Sequence, residues 1–209
     1  MRNYVKPTMT RFLIAAAASM SLLLSGCASE KAQSNLTFDF GPGSMGAPAA
    51  GVSAGALVIS DVTGSAALDN EKMTYRLNYA DALQARTYAH SSWSATPLQL
   101  VTQRLKTRVA QSGIKVLSAT DASAGVAILR TEIDDFTHSF DSQSQSYGQL
   151  VLRASLFQGH KLIDQKTFVR KTAASTADAA GGARALAGST DAVAADIVAW
   201  LATLPLKKE

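Results

Sequence analysis

Apolar side chains fall on every second residue through much of this chain, and on every third or fourth residue in two longer stretches. Leu36, Phe38 and Phe40 alternate with Thr37 and Asp39, which gives a strand one apolar face. Leu57-Val58-Ile59 is a short continuous apolar run closed by Asp61 and Gly64, and it predicts a second strand. Met73, Tyr75, Leu77 and Tyr79 alternate again, and a short strand is expected over residues 86–90. Further strands are expected over residues 114–117 and 124–136, the latter with Ala127, Leu129, Thr131 and Ile133 on one face. A polar, turn-like stretch follows over 139–146. Leu150, Leu152, Ala154 and Leu156 then alternate, and Gln158-Gly159-His160 turns the chain into a returning strand over 162–170.

Two segments carry the helical period instead. Thr96-Pro97 is a helix start, with threonine as N-cap and proline in the first turn. Leu98, Val101, Leu105 and Val109 follow at spacings of three and four, and Gly113 ends the helix. Residues 176–204 are alanine-rich, with Leu186, Val193, Ile197, Trp200 and Leu201 on one face and Pro205 as the stop. Gly181, Gly182 and Gly188 are expected to weaken the first half of that helix. Between the first two strands, residues 41–55 are almost wholly Gly, Ala, Pro and Ser, a loop by composition. The sum predicts an α+β domain: a mainly antiparallel or mixed β-sheet with two amphipathic helices packed on one face. No internal repeat is visible.

The amino terminus has a different pattern. Arg2, Lys6 and Arg11 precede an apolar stretch from Phe12 to Leu24, shorter than the ~20 residues a spanning helix needs, which fits a secretory signal. Leu24-Ser25-Gly26-Cys27 follows, and it resembles the lipobox of bacterial lipoproteins. In those proteins the signal is cut before the cysteine, the thiol takes a diacylglycerol and the new amino group is acylated. The expected organisation is therefore a signal peptide over 1–26, a lipidated tether over 27–35 and a single domain over 36–206. Several acyl chains would make the attachment stable. Ala28 follows Cys27 where an aspartate would retain an enterobacterial lipoprotein at the inner membrane, so outer-membrane delivery, facing the periplasm, is expected.

Removing the signal changes the charge balance. The whole chain has 20 basic and 16 acidic residues, and three of the basic ones lie in the signal. About 180 nearly neutral residues remain, enough for one domain with a real core. They carry no basic stripe, which argues against nucleic acid as a partner. With Cys27 acylated no thiol is left for a disulfide or a metal.

Candidate chemistry is thin. Gly41-Pro42-Gly43-Ser44-Met45-Gly46 matches a dinucleotide fingerprint, but Pro48, Gly51 and Gly55 oppose the helix that pyrophosphate binding needs. Gly51-Val52-Ser53-Ala54-Gly55 matches a hydrolase elbow, yet a loop precedes Ser53 and a strand follows, the reverse of the required order. His90, His138 and His160 have no metal-ligand spacing; His90 is expected to make a structural hydrogen bond. Glu132, Asp134 and Asp135 are expected to be solvated strand carboxylates rather than an acid/base pair. No enzyme activity, metal or cofactor is expected beyond the lipid on Cys27.

The densest run of unusual residues is Met73-Thr74-Tyr75-Arg76, then Tyr88-Ala89-His90-Ser91-Ser92-Trp93-Ser94, then Thr96-Pro97-Leu98. It reads as a tyrosine-rich strand pair passing through a tryptophan-bearing turn into a proline-started helix. Trp93 is expected to pack under the start of that helix, and Arg76 and His90 to bond backbone carbonyls or each other's neighbours. Tyr75, Arg76, Tyr88, His90, Trp93 and Pro97 together resemble the ABC-type transport auxiliary lipoproteins. The opening strand, the long strand through Phe136 and Phe140, and the last helix with Trp200-Leu201 have counterparts in that family, whereas the 41–55 loop departs from it. The resemblance implies a non-enzymatic accessory to an envelope lipid transporter, working beside an MCE-domain protein and forming a homo-oligomer. A different class remains open: an assembly or structural lipoprotein that binds peptidoglycan or nascent outer-membrane proteins.

Overall fold

The structure, a computed structural model, describes residues 34–42, 55–121 and 125–204. Its centre is the strand β7 (Ala127–Phe140), which carries a different kind of neighbour on each edge. One edge pairs antiparallel with β8 (Ser146–Gln158) along its whole length, and β8 pairs with β9 (Lys161–Ala173). The other edge is shared in turn by three short parallel strands, β2 (Ala56–Ile59), β3 (Thr63–Gly64) and β4 (Lys72–Leu77). A 3-10 turn, Ala66–Leu68, lies between β3 and β4. β6 (Lys115–Leu117) borders β2, and β5 (Ala82–Trp93) pairs back on β4. β1 (Leu36–Phe38) lies parallel to the end of β5, with Leu36 opposite Ser91. Among the described residues, nine strands form one mixed sheet.

The apolar run of β2 is explained by its place. Held between β6 and β7 in parallel register, Leu57, Val58 and Ile59 are all buried, as strands covered on both faces require. β7 begins with Ala127, Leu129, Thr131 and Ile133 buried, as the alternation predicts. A β-bulge between Ile133 and Asp135 then inserts one residue and reverses the phase. Phe136, His138 and Phe140 thereby stay on the core side, and the strand runs four residues past its expected end. The turn between β7 and β8 is correspondingly shorter, residues 141–145.

β4 ends at Leu77, where its pairing with Phe140 runs out. Tyr79 therefore lies in a one-turn helix, α1 (Asn78–Asp81), and not in the strand its alternation predicts. β5 is longer than the expected 86–90 because the hairpin returns along β4 and then meets β1.

Helix α2 (Pro97–Gln111) starts as the sequence dictates. The Thr96 hydroxyl accepts from the Gln99 N–H, and the Gln99 side chain accepts in return from the Thr96 N–H. Gly113 follows its end at φ 93°, a conformation that favours glycine. Helix α3 (Ala179–Ala202) is capped by Asp178, whose carboxylate accepts from the Gly181 N–H at 2.7 Å. It is long and apolar enough to cross a bilayer, with a mean hydropathy of 1.3, yet half of that window is buried inside the domain. Its glycines do the opposite of what propensity suggests. A Cβ on Gly182 would run into the His138 ring, and one on Gly148 of β8 into the α3 backbone at Leu186. Here the missing side chains let helix and sheet touch, so the first half of α3 is buried, not frayed.

The core lies between the sheet and these two helices, with Leu57, Ile59, Leu129, Leu152, Leu156, Leu186, Ile197 and Leu201 among its most buried members. Asp191 of α3 ties the helices together: it forms a two-pronged ion pair with Arg108 at 2.6 and 2.8 Å and lies 3.6 Å from Arg104. Arg104 is only 6% exposed, and its guanidinium also donates to the carbonyls of Phe40 and Gly41.

Candidate functional site

Strand register brings the unusual residues together as two adjoining aromatic groups. Tyr75 of β4 and Tyr88 of β5 lie 4.5 Å apart, ring to ring, and Tyr75 meets Phe140 edge-on at 5.9 Å. His138 lies 4.4 Å from Phe140 and accepts the neighbouring phenol, with Tyr88 Oη and His138 Nδ1 2.8 Å apart. The second group is Trp93, which meets Phe40 edge-on at 5.8 Å and Phe136 at the same distance. Tyr88 and Trp93 are five residues apart, a spacing that places side chains on opposite faces of a regular strand. The pairing of β4 with β5 shifts between Lys72 and Thr74, and both rings therefore meet the same face of β7.

His138 is completely buried. Burial lowers its pKa to about 4, against a partial opposing pull from Asp178. The imidazole is thus neutral at ordinary pH. Tyr88 shifts the other way: burial, then the proximity of Tyr75 and Asp178, raises its pKa. The neutral phenol donates to Nδ1, which places the imidazole proton on Nε2, and Nε2 has no hydrogen-bond partner among the described residues. This pair is a buried hydrogen bond under the start of α3, sealed by Gly182.

The expected site residues therefore separate. Trp93, 2% exposed, belongs to the core, where its ring meets Phe40 and Phe136. Pro97 is buried in the first turn of α2. Tyr75 and Tyr88 are half-buried. Arg76 bonds backbone carbonyls, donating to Ala82 and Leu83 at 3.3 and 3.4 Å. His90 is exposed, and the structural hydrogen bond expected of it is made by His138 instead. The reason is the bulge, which turns His138 into the core. Cys27 and Ser53 lie outside the described residues, as does most of the 41–55 loop.

The strand carboxylates are used up on the outer sheet face. Glu132 and Asp134 flank Arg153 at 2.7 and 3.4 Å, and Asp135 accepts from Thr137 and Gln149, each at 2.6 Å. Among the described residues no cluster of His, Cys, Asp and Glu is arranged to hold a metal. The concavities are open grooves, such as one of about 520 Å³ between β9 and α3, across which Arg170 pairs with Asp196.

What the sequence reading missed is the exposed end of the β4–β5 hairpin. Leu83 is 91% exposed and Tyr79 48%. Neither interrupts a pattern strongly enough to be noticed; the only signal is a leucine at the centre of an otherwise weakly apolar stretch, residues 80–85.

Comparison with known proteins gives this domain a family. Residues 37–198 match the family described as the ABC-type transport auxiliary lipoprotein component. The crystal structure of protein XCC0632 from Xanthomonas campestris is 17% identical, with 70% of this chain and 82% of that chain covered and a TM-score of 0.63. An uncharacterized protein of known structure is 12% identical over 80% of this chain and 99% of its own, with a TM-score of 0.64. These two likenesses concern the fold. No curated protein matches the chain. The chain belongs to the ABC-type transport auxiliary lipoprotein family, whose members are membrane-anchored envelope components that accompany a transporter.

Proposed function

We propose that this protein is a non-enzymatic, periplasm-facing lipoprotein of the outer membrane, an accessory of an MCE/ABC-type phospholipid transport system. It is held by acyl chains on Cys27, needs no cofactor, and acts as a homo-oligomer by contact with an MCE-domain protein. The observation that carries the reading is the family match across residues 37–198. Ala28 after Cys27 supports the outer-membrane address. The polar clusters on β7 support contact over catalysis, since Glu132, Asp134 and Asp135 have partners on the sheet and His138 is bonded to Tyr88.

The test is affinity purification of the lipidated protein from native membranes, with partners and co-purifying lipids identified. Recovery of an MCE-domain protein is the expected result. Barrel-assembly components or peptidoglycan in its place would favour the assembly role and overturn the transport one. Cys27→Ser is expected to release the protein from the membrane fraction; a variant that stays bound and normally processed removes the anchor.

A further inference from the structure

Five large apolar side chains are exposed among the described residues: Leu36, Tyr79, Leu83, Leu162 and Val169. Two of them, Tyr79 and Leu83, occur together at one end of the described domain. Leu36 opens β1, and Tyr79 and Leu83 form the tip of the β4–β5 hairpin. Because β1 runs parallel to β5 with Leu36 opposite Ser91, chain that precedes Leu36 arrives from the side to which the hairpin extends. From Ser91 back to Leu83 is eight residues, at most about 26 Å of strand. From Leu36 back to Cys27 is nine residues, at most about 30 Å of extended chain. The tether is thus long enough to span the length of the hairpin.

The tip is also prepared for an interface. Residues 78–85 carry a single charged side chain, Asp81, and its carboxylate accepts from the Leu83 N–H at 2.9 Å. The carbonyls of Ala82 and Leu83 accept from Arg76. Backbone groups that would oppose transfer out of water therefore have internal partners, while the leucine and tyrosine side chains remain outside. A lipid held on a tether of this length keeps a bilayer at high effective concentration around the tip.

We propose that the β4–β5 hairpin tip, with Leu83 and Tyr79 foremost, seats in the headgroup region of the leaflet that holds the Cys27 lipid, so that the domain is docked at two points. This rests on the lipidation of Cys27. Docking would fix the orientation of the domain and turn the opposite end, where Leu162 begins the return of β9, away from the membrane.

The acylated chain has no other cysteine, so single thiols can be placed at will. Lipidated Leu83→Cys and Leu162→Cys proteins would each be labelled with an environment-sensitive fluorophore and reconstituted into phosphatidylcholine vesicles containing spin-labelled lipid. Only the fraction that floats with the vesicles is read. The expected result is a blue-shifted label at position 83 that spin-labelled lipid quenches several-fold more than the label at 162. A floated protein with no quenching at 83, or equal quenching at both positions, overturns the docking and leaves the anchor standing. A blue shift at 83 without lipid quenching shows that protein, such as a second copy, covers the tip, and also overturns it. A protein that does not float overturns the anchor and the docking together.

Discussion

Two β-hairpins of this domain have opposite fates. β8–β9 joins β7 and is covered by α3, and Leu150, Leu152, Ala154 and Leu156 are at most 1% exposed. β4–β5 meets β7 only from Tyr75 to Leu77 and reaches past it, with residues 82–85 exposed on both faces. The first hairpin is a structural element whose sequence answers to packing. The second is anchored at its base by rings and free at its tip, and there apolar residues need a different explanation. The junction between the two regimes is the Tyr88–His138 pair.

The comparison can be broken most forcefully at the hairpin base. Trp93→Ala empties a site 2% exposed and is expected to cost about 3–5 kcal/mol, read as a lower urea midpoint. A loss under about 1 kcal/mol would mean that the base of β5 is not part of the core.

The next effect is on pH dependence. The folded pKa of His138, about 4, lies below the ordinary value of 6.5, so the unfolded chain binds the proton more readily. Its contribution to stability is therefore complete above about pH 6.5 and is lost as pH falls towards 4, reaching about 3 kcal/mol over that window. Denaturation across pH 4–7 should show this slope in the native protein and lose it in His138→Phe. An unchanged slope would show that other groups govern acid stability.

A smaller effect is expected at the helix that covers the first hairpin. Asp178→Ala removes the N-cap of α3 and should destabilise by about 1 kcal/mol, with Asp178→Asn closer to native. The Asp178 carboxylate itself lies below its usual pKa, first through the Gly181 N–H, so part of this contribution disappears as pH drops through its folded pKa. Leu83→Ser should sharpen the contrast most: a stability change within about 0.5 kcal/mol, because that side chain is 91% exposed, with any deficit appearing in membrane docking alone.

Much of the fold is legible in the order of residues. Alternation locates β7 through β9, and Thr96-Pro97 marks the start of α2 to the residue. The failures have physical causes. Tyr79 continues an alternation whose strand has already lost its partner. Gly182 reads as a helix weakener until the ring of His138 is placed beneath it. His90 and His138 are equivalent as isolated histidines, and only the bulge before Asp135 decides which one is buried.

By itself, the sequence determined the classes of element and the absence of a recognisable catalytic spacing, because period, caps and motif spacing are local properties. It also determined the expectation of a lipid on Cys27, which is read from adjacent residues. Tertiary structure alone decided which side of β5 and β7 faces the core, since an odd number of unpaired residues, three in β5 and one in β7, moves every later side chain to the other face. It alone separated core from surface within the aromatic run, because burial depends on strands and helices far apart in the chain.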